Sequence, residues 1–478
     1  MKRYLAMMVM LLSLLGCLGS ASAVEYDTMY TEKNELLPIP KMYTHSRTIA
    51  VLNDGQDMLS EPSDLCVAPD GHIYVADTGN NRIVELDETY AFVRAMDQAG
   101  EQSFRQPQGV FVDEWGGIYV ADTGNERIVK LSAAGEYVES FVKPESELLG
   151  EGYTFTPRRI AVSSVGYLYT IKFQNLMQID AYNRFRGYIG TNQVGFDLGR
   201  QIRLLFSNDV QRKTMKRQQP YSVYSFALSP DGAIYITTPD PKGQLKKINS
   251  VGNNIYPYKG YFGQMVRQMT DSKDGLAQYV NPQYLDVAVD GDEIIFMLEG
   301  ITGQICIYDA FGNNLGCFGG KYEGEDGFLQ PSAVDVTAAR DIIVADQGAS
   351  CLKVFSPTRF MNNVFDAAIL YGQGRYQQAQ EYWQEILQYH ESYYLANAGM
   401  AKALYKQGEY GQAMHYYQIC GDRSGYSDAY AKWRHDIFRT HFPQVVLAIA
   451  AALLALIILL KVYGRYVRRT LARYGSMI

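Results

Sequence analysis

The chain has 478 residues, 47% hydrophobic and 20% charged, ordinary values for folded domains and enough length for two or three of them. Its net charge is −7; setting aside the +2 of Lys2 and Arg3 and the +5 of a C-terminal basic cluster leaves −14 on the part between. A surface so acidic excludes nucleic acid as a partner, because that binding depends on basic patches.

Lys2 and Arg3, the apolar stretch 4–18 and the small residues Ala21-Ser22-Ala23 predict a secretion signal over 1–23. Leu14-Leu15-Gly16-Cys17 loosely resembles a bacterial lipobox, so lipidation of Cys17 and simple cleavage are both open, and either route exports the chain. Residues 24–46 are polar, with Pro38 and Pro40, and predict an arm over the surface of the next domain. RTIAVLN (47–53) reads as a lone strand.

IYVADTGNNRIVEL (73–86) then returns 45 residues later as IYVADTGNERIVKL (118–131), differing only at Asn81/Glu126 and Glu85/Lys130. Each copy reads as strand, tight polar turn and strand. A hairpin repeated at that period predicts propeller blades. Six repeats align on a proline or its equivalent, starting at Pro62, Pro107, Pro157, Val223, Pro282 and Pro331. Proline suits a strand start, where its missing N–H is not needed by the ladder. The sixth repeat ends in CLKVFSP (351–357) with no fourth strand after it. The lone strand 47–53 is expected to supply one and to close the ring, which removes exposed sheet edges.

From residue 362 helix formers dominate. ILYGQGRYQQAQEYWQEIL (369–387) matches ALYKQGEYGQAMHYYQIC (403–420) at a spacing of 34, with Gly374 answering Gly408, Ala379 answering Ala413 and Trp383 answering Tyr417. That period and pattern are the tetratricopeptide signature, with the helix 427–442 expected to cap the array. Residues 444–460 carry no charge and approach the length of a membrane span. Lys461, Arg465, Arg468, Arg469 and Arg473 follow, so the positive-inside rule puts the tail in the cytoplasm and the rest outside.

The hairpins and the Gly-acidic linkers ending in Pro resemble the NHL repeat family over roughly residues 47–357. The resemblance implies a six-bladed propeller of four-stranded blades, in which Asp77, Asn80, Arg82, Asp122, Asn125 and Arg127 are framework of the turns. Repeats three to six lack the full set. The expected architecture is therefore a multidomain chain: signal peptide 1–23, arm 24–46, all-β six-bladed NHL-type propeller 47–360, all-α helical repeats 361–442, transmembrane helix 443–463 and basic tail 464–478.

Some NHL-like propellers are metal-dependent lactonases or lyases, which makes that activity the alternative reading. Only His45 and His72 lie at or within the propeller, too few for a multi-histidine centre. Asp274, Glu323, Glu325 and Asp326 read as linker residues. Five cysteines remain after export: Cys66, Cys306, Cys317, Cys351 and Cys420. Cys306 and Cys317 flank a turn near Phe311-Gly312, where a cross-strand bridge and two buried thiols are both open. The insertion 199–219 sets Arg200, Arg203, Arg212, Lys213, Lys216 and Arg217 against one acidic residue, Asp209. It is the candidate ligand- or partner-binding stretch, because it concentrates positive potential on an acidic surface. The expectation is a non-enzymatic, membrane-anchored extracytoplasmic binding or scaffold protein of bacterial origin, without cofactor. Its propeller takes a protein or glycan, as in surface components accompanying carbohydrate uptake, or its helical repeats act as the assembly scaffold.

Overall fold

The computed structural model describes residues 26–30, 36–146, 149, 152–189, 222–240, 243–250, 252–258, 260, 262–263, 266–269 and 277–475. The signal segment, Cys17, Asp274 and all six basic candidates from Arg200 to Arg217 lie outside the described residues. The chain divides into a unit ending at Gln373 and a second unit from Gly374 to Ile478.

The first unit holds a six-bladed propeller. Blade 1 runs Pro62–Val67, Ile73–Asp77, Arg82–Leu86 and Phe92–Met96 from the axis outward, each strand antiparallel to the last. Blade 2 repeats this with Pro107–Val112, Ile118–Asp122, Arg127–Leu131 and Tyr137–Phe141. Blade 3 starts at Ile160–Val162, blade 4 at Ser225–Leu228, blade 5 at Tyr284–Val289 and blade 6 at Pro331–Val336. Second strands such as Ile73–Asp77 and Ile342–Asp346 are buried at every residue. A sheet covered on both faces by its neighbours explains why they read as apolar runs rather than as alternation. Among the described residues blade 4 shows three strands.

Three N-terminal strands complete the ring: β1 (Tyr26–Tyr30), β2 (Leu36–Pro40) and β3 (Tyr43–Ile49). β3 pairs with Cys351–Pro357 from Tyr43↔Pro357 to Ile49↔Leu352, making the outer strand of blade 6. The closure expected from the leftover strand is present, beginning four residues earlier than RTIAVLN suggests. The arm is not a surface strap. β1 and β2 form a hairpin that pairs with Asn314–Gly319 and extends blade 5 to six strands. The outermost strand, β2, carries Pro38 and Pro40, which deny a further strand its donors.

The blade 5 alignment also shifts. Pro62, Pro107 and Pro331 pair with Asp77, Asp122 and Asp346, whereas the residue opposite Glu299 is Tyr284, two beyond Pro282. Cys306 and Cys317 face each other across the ladder and are disulfide-bonded, both buried. Helix α1 (Arg359–Gly372) ends this unit; the Thr358 side chain accepts from the Met361 amide, and the Phe365 ring lies 6.2 Å from that of Phe296.

In the second unit α2 (Tyr376–Tyr389), α3 (Tyr394–Gln407) and α4 (Tyr410–Cys420) pack in sequence, and α4 packs on α5 (Arg423–Gly475). Ala379 and Ala413 are fully buried, as the spacing predicts for residues where helices approach closely. A Cβ on Gly399 would come within 2.2 Å of Trp383 Nε1, so only glycine allows that approach. The cap and the span are one 53-residue helix, with Pro443 inside it. Its apolar portion is unburied and long and apolar enough to cross a membrane.

Candidate functional site on the propeller axis

Asp77 shows what the repeated hairpin does. Its carboxylate, fully buried, accepts from the Ser60 amide at 2.7 Å, Asn80 Nδ2 at 2.9 Å and Arg82 Nε at 2.7 Å. Asp122 repeats the set with the Arg105 amide, Asn125 and Arg127. Asn81 and Glu126, where the copies differ, both sit in the left-handed region (φ 57° and 54°), so the turn tolerates either beyond its held Asn. Glu299 in blade 5 and Asp346 in blade 6 keep the carboxylate and spend it on backbone amides instead. These groups are framework, as the resemblance implies.

The unusual chemistry lies on the axis. Register-equivalent positions of the inner strands are Asp64 in blade 1, Ser225 in blade 4 and Asp286 in blade 5, with Arg159 just before the inner strand of blade 3. Arg159 Nη1 reaches Asp64 Oδ1 and Asp286 Oδ1, both at 2.8 Å, and its Nη2 donates to the Ser332 carbonyl at 3.0 Å. Asp64 also accepts from the Val110 amide at 3.1 Å, and Asp286 from Ser225 Oγ and the Val334 amide, both at 2.7 Å. Asp335 of blade 6 accepts from the Val67 amide at 2.8 Å. Each carboxylate thus ties its own blade to the next inner strand.

Two carboxylates, Asp64 and Asp286, share one guanidinium with a third, Asp335, close by, and their acidities show it. Burial pushes Asp64 up to about 6 against the pull of Arg159. Asp335, which makes no ion pair among the described residues, rises to about 7, chiefly through burial. Burial also raises Asp286. Burial opposes the charge of Arg159, but Asp286 and Asp64 outweigh it and hold the guanidinium protonated.

Arg159 borders two cavities. One, of about 420 Å³, is acidic: Asp64, Asp335, Asp113, Glu114 and Asp290 line it, with Trp115 exposed at its rim. The other, of about 680 Å³, holds Arg158, Lys321 and four glutamines, and among the described residues no carboxylate lines it. The two mouths of the axis therefore differ in sign.

Among the described residues no three His, Cys, Asp or Glu side chains are placed to hold a metal ion. The axial carboxylates are occupied by Arg159 and by backbone amides, so the residues present do not fit a carboxylate-held ion. His72 hydrogen-bonds Glu85 at 2.9 Å, and Asp326 pairs with Lys41 at 2.7 Å, both local structural contacts. Sequence reading missed Asp64, Arg159, Asp286 and Asp335. Their signal was a charge inside otherwise apolar inner strands, PSDLCV, PRRIAV, YLDVAV and PSAVDV.

The NHL repeat profile matches residues 59–86, and a tetratricopeptide repeat profile matches 370–418. Comparison with curated protein sequences finds no match. Among solved structures, the chain is similar to a streptogramin B lyase at 13% identity and TM-score 0.39, covering 71% of this chain and 96% of that one. A virginiamycin B lyase from Staphylococcus aureus is similar at 11% identity and TM-score 0.39, covering 66% and 89%. A gluconolactonase from Xanthomonas campestris is similar at 10% identity and TM-score 0.40, covering 69% and 97%. These likenesses correct the expectation of a non-enzymatic chain, since propellers of this fold carry lyase and lactonase activity and the architecture excludes neither. At such identities they share the fold alone, and no substrate or residue role passes to this chain. The chain is a six-bladed propeller with an NHL repeat, followed by tetratricopeptide helices and one helix long and apolar enough to cross a membrane.

Proposed function

We propose that this chain is a membrane-anchored extracytoplasmic receptor: the propeller takes a glycan or protein ligand at its axis, and the helical repeats dock a protein. The observation that carries the reading is the pair of ligand-sized cavities on either side of the Arg159 clasp, each lined by convergent polar groups. The Cys306–Cys317 disulfide suits an oxidising exterior, and the basic residues after the apolar helix suit a cytoplasmic tail of a bacterial single-pass protein. Tetratricopeptide helices commonly build protein-docking surfaces. On composition alone, Arg200, Arg203, Arg212, Lys213, Lys216 and Arg217 form a further contact stretch for an anionic partner.

Purified full-length chain in lipid nanodiscs, probed against immobilised bacterial envelope glycans, tests this. The expected result is retention of a defined glycan class, weakened by substitution at one cavity rim, Trp115→Ala or Phe173→Asn. Glycan retention by neither the parent nor any variant would sink the glycan part of the proposal.

A further inference from the structure

We propose that the carboxylate-free mouth of the axis binds an acidic saccharide, with Arg158 taking a uronate carboxyl group and Phe173 stacking on a sugar ring. This rests on the receptor reading above and names its ligand class.

Phe173 carries the argument. It occupies the two-residue turn between Leu168–Lys172 and Asn175–Ile179 with φ 56°, the left-handed region, in a turn two residues shorter than that of blade 1. A bulky side chain there is strained relative to ordinary backbone. Burial does not offset that strain, because Phe173 is 71% exposed, with the Lys172 ammonium 5.0 Å from its ring centroid. It borders the cavity of about 680 Å³. A strained, exposed aromatic at the lip of a ligand-sized cavity is the arrangement expected of a binding platform rather than of framework.

The polar lining selects the ligand. The side chains of Gln108, Gln330 and Gln347 make no hydrogen bond among the described residues and face one cavity. Carboxamides present a donor and an acceptor side by side, which suits neighbouring sugar hydroxyls. The Arg158 guanidinium is exposed and has no partner among the described residues, and Lys321 donates only to the Gly300 carbonyl. Among the described residues no carboxylate in the lining competes for these cations, although the part of the chain between its basic ends is strongly acidic. The opposite mouth disfavours the same ligand through Asp113 and Glu114, since Asp64 and Asp290 there are paired with Arg159 and Arg340. An anion is therefore admitted at one end of the axis only. A planar carboxylate matches the guanidinium fork better than a neutral hydroxymethyl group does.

Titration calorimetry on the full-length chain in nanodiscs tests the assignment with digalacturonate, with galactobiose as its neutral counterpart, and with inorganic phosphate. Digalacturonate is expected to bind at least about tenfold more tightly than galactobiose, the scale of one charge-assisted hydrogen bond. Arg158→Gln should abolish that preference, bringing the two sugars to equal affinity. Phe173→Asn should weaken both sugars about tenfold while holding or raising the thermal midpoint, because Asn tolerates the turn's backbone; a merely structural role would show no binding change. Equal binding of the two sugars, or displacement by phosphate alone, overturns the uronate assignment. Saccharide binding lost in Trp115→Ala but retained in Phe173→Asn overturns the choice of mouth and leaves the receptor reading standing. Binding of no saccharide overturns both.

Discussion

Asp77 stands at the centre of a turn in which a fully buried carboxylate satisfies an amide, a carboxamide and a guanidinium at once. Asp77→Ala would strand the Ser60 amide and leave Arg82, itself largely covered, paired only with Asp57. The expected loss is about 3 kcal/mol of stability, read from urea unfolding of the propeller signal. The axial carboxylates behave in the opposite sense. Their folded acidities, about 6 for Asp64 and about 7 for Asp335, lie above the usual aspartate value. The folded chain therefore holds these protons more tightly than the unfolded chain does. That contribution is complete below about pH 4, the usual aspartate value, and disappears as the pH rises through the folded values. For Asp64 the interval corresponds to roughly 3 kcal/mol. The thermal midpoint should fall between about pH 4 and pH 7, and Asp335→Asn, which cannot ionise, should flatten the upper part of that fall. An unchanged slope in the variant would mean that Asp335 is ionised throughout. The framework role of Asp77 was legible because its partners lie within five residues in the same hairpin. The axial cluster was not, because Arg159 and Asp64 stand 95 residues apart and meet only once the ring closes.

Strand pairing follows a similar division. The hairpins of blades 1 and 2 announce themselves by near-identity, and the leftover strand at the N-terminus had one vacancy to fill. Its start was misplaced because Tyr43, Thr44 and His45 precede the apolar alternation, and a bulge between His45 and Arg47 breaks the period. The blade 5 register misled for a related reason: Pro282 marks a strand start by chemistry, but the ladder begins at Tyr284. The hairpin β1–β2 left no trace readable as blade, since its proline-rich outer strand lacks strand propensity. The cross-strand pair was legible as a geometry but not as a bond. Cys306 and Cys317 sit directly opposite with Cα atoms 4.1 Å apart, on the third and fourth strands of the blade that β1 extends. Replacing both by Ala should cost roughly 2–3 kcal/mol, the value for closing a short loop. Alkylation of the unfolded, unreduced chain should reach Cys66, Cys351 and Cys420 but neither partner of the bond. Labelling at Cys306 would show that the bridge does not form in the cell.

At the scale of the whole chain, compartment ties the disulfide, the charge and the apolar helix together. A buried disulfide persists where the surroundings are oxidising. The five basic residues, Lys461, Arg465, Arg468, Arg469 and Arg473, follow the apolar stretch without an acidic residue after them. Both observations favour one orientation, with the propeller outside and the tail inside. Two single-cysteine probes separate the orientations in a Cys420→Ser background, where the other unbridged thiols among the described residues, Cys66 and Cys351, are buried. Tyr182 is 80% exposed, so Tyr182→Cys presents its thiol to any reagent on the propeller side. A membrane-impermeant maleimide added to intact cells should label Tyr182→Cys fully and Ser476→Cys only after permeabilisation. The reverse pattern would place the propeller in the cytoplasm and would remove the receptor reading with it, since its axial mouths would then face no external ligand. Replacing the five basic residues with Gln should give a mixture of both orientations, the outcome expected when charge asymmetry sets the orientation.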